Sequence, residues 1–259
     1  MRIKLLVIAV AVLAAAVAGY GHTLSASPAP APRVTTAPRE MLSQYSTLSA
    51  LKAGVFDGQL TIAELGRWGD LGLGTFNRLN GEMIVLGGVV YQVTADGEVH
   101  RVRPAQRTPF AVVTSFEPDM TRPAPGGATL AELEAAIDQM RPSDNLPYAV
   151  RVRGSFSSML VRSVPAQQKP YPTLDEALTH QVEFPLEDVR GVLVGFWLPS
   201  YMAGANAAGY HFHFLTADRT AGGHVLDCQV DEAVVGLDQT ARWYVRLPTS
   251  PEFTGAQLP

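Results

Sequence analysis

Beyond residue 80 the chain alternates apolar and polar positions in short runs, and that period of two predicts strands. Met83–Leu86 and Val89–Thr94 flank Gly87-Gly88, a two-residue hairpin signal, and Asp96-Gly97 turns the chain again into Glu98–Arg103. Phe110–Phe116 is an apolar run suited to a buried strand. Tyr148–Arg153, Met159–Val164, Gly191–Leu198, Tyr210–Thr216 and His224–Val230 follow as further predicted strands. Thr61 to Glu64, Thr129 to Glu132 and Thr173 to Glu176 have the Thr-x-x-Glu spacing that opens helices with a capping box. The helix after Thr129 is expected to reach about Met140, before Pro142 stops it. The glycines of Gly69–Gly74 lack the order of a phosphate loop and no Walker lysine follows, so a structural turn is expected there.

Strands outnumber helices and do not alternate with them. The expected class is therefore α+β, with two sheet-based domains of mixed β-sheet and a few helices. The boundary is predicted near Asp144–Pro147, giving an N-terminal domain over 41–147 and a C-terminal domain over 148–259.

The first residues follow a different pattern. Arg2 and Lys4 precede an unbroken apolar run from Leu5 to Val17, and small residues lead to Leu24-Ser25-Ala26. That is the layout of a secretory signal peptide over 1–26, and the run falls short of the ~20 residues a membrane-spanning helix needs. Residues 27–40, rich in Ala, Pro and Ser, read as a flexible spacer. The expected location is exported, periplasmic or extracellular, with no membrane contact after cleavage. The only cysteine is Cys228, so no internal disulfide answers the oxidising compartment.

The net charge of the full chain is −4. Cleavage after Ala26 removes two of its 20 basic residues and none of its 24 acidic ones, which leaves −6. No general affinity for nucleic acid or anionic membrane is expected. An anionic substrate must instead be drawn by a local feature.

Three of the six histidines fall between Tyr210 and His224. On a strand, His211 and His213 share one face, while Tyr210, Phe212 and Phe214 share the other. A loop around Asp218 and Gly222-Gly223 returns the chain antiparallel, and a turn centred between Asp218 and Arg219 makes His213 and His224 direct cross-strand partners. Opposed Cβ atoms lie ~4.5–5.5 Å apart. Three imidazoles then converge on one face of a hairpin in the C-terminal domain, an arrangement suited to Zn2+ with coordination positions left open. The bland alternative is a polar patch of satisfied histidines or a non-catalytic metal site. Under strict alternation Cys228 shares the His224 face, where a small buried hydrophobe is the plainer reading than a fourth ligand. A cupin-type site would add a glutamate shortly after the His-x-His pair, and Leu215–Asp218 supply none.

Longer motifs carry a family resemblance. Tyr45–Leu51, Gly54–Gly58, Gly69–Asn77, Gly81–Leu86, Gln168–Pro172, Gly195–Trp197, Gly209–Phe214 and Gly222–Asp227 resemble the acetolactate decarboxylase family in order and spacing. The similarity spans about Met41 to Phe253. It implies conversion of 2-acetolactate to acetoin and carbon dioxide, a zinc ion, and a two-domain fold that forms a homodimer. Loss of carbon dioxide from such a 3-oxo acid leaves an electron pair that the ketone oxygen must accept, so the metal is expected to stabilise an enediolate that is then protonated. His211, His213 and His224 match the ligand motif. Glu82, Thr75 and Arg162 match the family's active-site glutamate, threonine and arginine. A C-terminal glutamate is also implied, for which Glu252 in Pro251-Glu252-Phe253 is the candidate.

Two of these assignments have support in the local pattern. Arg162 shares a strand face with Leu160 and Val164, so it points among apolar residues and needs an anion, whether substrate or ion-pair partner. Arg151 and Arg153, opposite Tyr148, Val150 and Val152, read as a solvent face. Glu82 shares a face with Ile84 and Leu86. It either finds a metal or donor, rises in pKa, or reaches water at the strand edge. The alternatives to a decarboxylase are a secreted zinc hydrolase, for which no His-Glu-x-x-His helix is present, and a non-catalytic metal-binding envelope protein.

Overall fold

The computed structural model describes residues 39–258, so the expected signal peptide and nearly all of the expected spacer lie outside the described residues. The elements in chain order are β1 (Met41–Tyr45), α1 (Leu48–Lys52), β2 (Leu60–Thr61), α2 (Ile62–Leu65), β3 (Leu71–Thr75), β4 (Glu82–Leu86) and β5 (Val89–Val93). Then follow β6 (Val99–Arg101), β7 (Arg107–Thr108), β8 (Ala111–Thr114), β9 (Met120–Pro123) and α3 (Leu130–Asp138). The last part holds β10 (Tyr148–Ser163), α4 (Leu174–Leu178), β11 (Val182–Leu198), β12 (Gly209–Thr216), β13 (Gly222–Gln239), β14 (Arg242–Arg246) and α5 (Pro251–Thr254). This is a sheet-rich α+β fold with few helices. Among the described residues no helix is long and apolar enough to cross a membrane.

Local chemistry explains the small elements. All three predicted capping boxes are formed, at Thr61–Glu64, Thr129–Glu132 and Thr173–Glu176, and they open α2, α3 and α4. Gly87 and Gly88 both take positive φ, which a tight β4–β5 hairpin requires.

The seven-stranded sheet has the order β14-β1-β8-β3-β4-β5-β6. The second sheet runs β10-β11-β12-β13-β9, and β10 also pairs with β13, so four long strands close on themselves. The sheets pack face to face through Leu73, Ile84 and Val112 from one and Val192, Val194 and Phe196 from the other. β8 is buried throughout because Val112 serves this layer while Ala111 and Val113 serve the core on the far side.

Three expectations are corrected. Tyr148–Arg153 and Met159–Val164 are not two strands but one, β10, whose Gly154–Ser158 stretch is carried through by register shifts rather than a turn. The predicted turn at Gly69–Gly74 is mostly strand β3. Gly72 and Gly74 are glycines there because a Cβ would lie 2.2 Å from the Val112 oxygen and 2.4 Å from the Phe110 oxygen. Arg151 does not simply face solvent, because its guanidinium lies 4.6 Å from the centre of the Phe116 ring.

Candidate metal centre

The two sheets meet at a cavity of about 270 Å³ lined by His211, His213, His224, Arg162, Glu82 and Thr75, with apolar walls. Ladder register puts these groups in place. His213 pairs directly with His224 across β12 and β13, as the sequence predicts, and His224 pairs in turn with Arg162 of β10. Arg162, His224 and His213 thus stand in one row across three strands. Gly223 lets the strands approach, since a Cβ there would sit 2.5 Å from the Arg162 carbonyl oxygen. From the other sheet, Thr75 and Glu82 are direct partners across β3 and β4. Thr75 Oγ1 donates to the Gly81 carbonyl at 2.7 Å, which fixes the start of β4.

Hydrogen bonds join the two contributions. Arg162 Nη1 donates to Glu82 Oε1 at 2.9 Å, and Glu82 Oε2 lies 3.5 Å from His213 Nε2. His213 Nδ1 lies 2.8 Å from the Met83 carbonyl oxygen, which can only accept, so the proton sits on Nδ1 and Nε2 is left as a lone-pair donor toward the cavity.

Burial holds the trio neutral. The His211 imidazole is pushed down to about 4, first by desolvation and then by the Arg162 charge. His213 and His224 are lowered well below the usual histidine range, chiefly by burial. Neutral imidazole is the metal-binding form. One nitrogen from each ring fits within 4.8 Å of the others, and His211 Nε2 lies 3.2 Å from His224 Nδ1. Two nitrogens bound at ~2.0–2.1 Å to one tetrahedral ion stand roughly 3.4 Å apart, so the donor set fits a single divalent cation. Burial pushes the Glu82 carboxyl up while the Arg162 charge opposes it.

Cys228 is not turned toward the trio. One extra residue in β13, between the Leu160–Asp227 and Val161–Val225 pairs, breaks strict alternation and turns Cys228 into the core with Met159 and Val225. Burial raises its thiol to about 12.

Glu252 is not brought to the cavity. It lies in the first turn of α5, half-exposed, 3.8 Å from Lys169, which also pairs with Asp57 at 2.8 Å. Ser250 caps that helix, so a carboxylate in its first turn has a local reason to be there.

Sequence reasoning missed the walls. Leu48, Leu51 and Lys52 of α1 and Leu174, Asp175 and Leu178 of α4 line the cavity, and Tyr210 reaches it although it starts on the strand face opposite the histidines. The Tyr210 hydroxyl is tied to Asp138 Oδ1 at 2.6 Å, and its ring stacks on Phe212. The capping box at Thr173 announced α4, but nothing local linked it to α1.

The family model for Alpha-acetolactate decarboxylase matches residues 42–259. An alpha-acetolactate decarboxylase of Methylococcus capsulatus is 47% identical over 215 residues, 83% of this chain and 83% of its own length. One from Methanosarcina mazei is 47% identical over 219 residues, 85% of this chain and 76% of its own. The crystal structure of the Bacillus subtilis strain 168 protein superposes with a TM-score of 0.82 at 39% identity, covering 84% of this chain and 93% of that one.

Proposed function

We infer that the chain, which belongs to the alpha-acetolactate decarboxylase family, works as an acetolactate decarboxylase. From that premise we propose that it releases carbon dioxide from 2-acetolactate at a zinc centre held by His211, His213 and His224. The assignment sets aside the hydrolase and the non-catalytic metal binder. The observation that carries the metal reading is the convergence of three burial-neutralised imidazoles, one of them locked in its tautomer by the Met83 carbonyl. A cation in that cradle would supply a Lewis acid for the electron pair that decarboxylation leaves behind.

The chain's own residues have distinct tasks. Arg162 spends one Nη on Glu82 and keeps further N–H donors for the substrate carboxylate. Its role is to orient the carbon–carbon bond for cleavage, since a stronger grip on the bound acid would only stabilise the ground state. When that bond breaks, its electrons pass to the ketone oxygen and carbon dioxide departs. The carbon left behind then needs one proton. Glu82, buried and pushed toward its protonated form, delivers that proton from a fixed direction and regains it from solvent. Thr75 acts through the backbone, holding Gly81 and with it the entry to β4. The apolar walls keep water from competing.

The decisive measurement is carbon dioxide release before and after chelation. Activity that vanishes with the metal and returns with added zinc supports the reading, and full activity of metal-free protein overturns it. Two further expectations carry over. The charged-then-apolar N-terminus supports export, which N-terminal sequencing of a secreted fraction tests. Exposed Trp243 and Tyr244 on β14, a sheet-edge strand, suit a homodimer contact, which sedimentation tests.

A further inference from the structure

The cavity mouth is framed by two five-residue helices from distant parts of the chain, each with its own threonine cap. Leu48 and Leu51 of α1 and Leu174 and Leu178 of α4 turn inward and pack into one apolar cluster. The next residue on each helix, Lys52 and Asp175, also lines the cavity, and both are exposed to solvent. Deeper in, the other basic side chain of the lining, Arg162, is already engaged by Glu82 at 2.9 Å. Among the described residues, Lys52 is therefore the lining cation without an ion-pair partner, on a chain whose net charge is negative.

We propose that Lys52 and Asp175 form a charged mouth that sorts the anionic substrate from the neutral products, with Lys52 drawing the incoming carboxylate and Asp175 opposing it. The inference rests on acetolactate being the substrate, as proposed above. That substrate carries one negative charge, whereas acetoin and carbon dioxide carry none. A rim cation therefore raises the local concentration of what must enter and exerts no pull on what must leave. Each charge also has a local reason to sit on its helix, the lysine in the last turn of α1 and the aspartate in the first turn of α4. That structural role alone would affect melting temperature and would not distinguish a charged from an uncharged ligand.

The test is steady-state kinetics of the metal-loaded full chain and its Lys52→Gln and Asp175→Asn variants, at low and high ionic strength. Lys52→Gln is expected to lower kcat/KM by roughly threefold to tenfold at low salt with kcat unchanged, and Asp175→Asn to raise it by a similar factor. Both differences should shrink to less than about twofold near 0.5 M salt, while inhibition by neutral acetoin stays as in the unmodified chain. Unchanged kcat/KM at low salt, a loss that persists undiminished in high salt, or a loss confined to kcat would each overturn the charged mouth. The metal reading is judged separately, on chelation of the unmodified chain, so the two can fail independently.

Discussion

Arg162 and Glu82 meet at 2.9 Å although they belong to different sheets, and their ion pair ties the row of histidines to the strand that carries the carboxylate. Both side chains are nearly shielded from solvent, at 12% and 9% exposure. A buried pair of this kind costs desolvation that its attraction only partly offsets, so stability alone is a weak reason for it. Its position beside the histidines gives a functional one. The arginine holds the carboxylate in the cavity lining, 3.5 Å from His213 Nε2.

Glu82→Gln tests the proton-delivery role. Glutamine keeps an acceptor for Arg162 but cannot give up a proton, so turnover should fall by about 10²–10⁴-fold while metal content is retained. Metal analysis beside the rate measurement decides the matter. Equal loss of both would make Glu82 a ligand.

Arg162→Lys removes the planar fork while keeping the charge. A single ammonium cannot hold Glu82 and a substrate carboxylate in the same fixed geometry, so kcat should fall by about 10²-fold, as expected for a misplaced bound group. Near-normal kinetics would take Arg162 out of the site.

The legible parts of the molecule were those set by neighbours in sequence. Thr61, Thr129 and Thr173 with their glutamates needed only three residues of context, and all three boxes form. His213 and His224 needed only a hairpin centred between Asp218 and Arg219, and their pairing follows from that register. What depended on distant strands was hidden. β11 begins at Val182 and β13 runs to Gln239 because a partner lies alongside, although Pro185, Asp188 and Asp231 break the apolar rhythm. The single extra residue that turns Cys228 away from His224 leaves no mark in a pattern of alternation. The Glu82–Arg162 contact spans two sheets, and each residue alone showed only that it needed a partner.

Glu252→Gln is expected to leave kcat and KM within about twofold of the unmodified chain, because its carboxylate faces Lys169 at the surface and exposed ion pairs contribute little. A large loss of kcat would mean that α5 reaches the cavity during turnover.

Asp238 offers a test of stability against pH that is independent of the metal. It lies on β13, 3% exposed, and accepts a hydrogen bond from the Glu117 backbone amide at 3.1 Å. Burial, reinforced by Asp119, Glu117 and Glu40, pushes its carboxyl up to about 7. An unfolded aspartate titrates near 3.9. Folding therefore favours the protonated form, and the sign follows. The contribution is fully present below about pH 4, is lost progressively as pH rises toward 7, and stays lost above it. Asp238→Asn keeps the acceptor for Glu117 and cannot ionise, so it should leave the melting temperature nearly unchanged at acid pH. At pH 8 it should raise it, by about 2–4 °C for each kcal/mol recovered. Melting curves of the two proteins across that range, compared as differences so that every other titrating group cancels, provide the measurement. Parallel curves would mean that the Asp238 carboxyl is ionised in the fold without cost, and that the acidic neighbours are balanced by charges on the same surface.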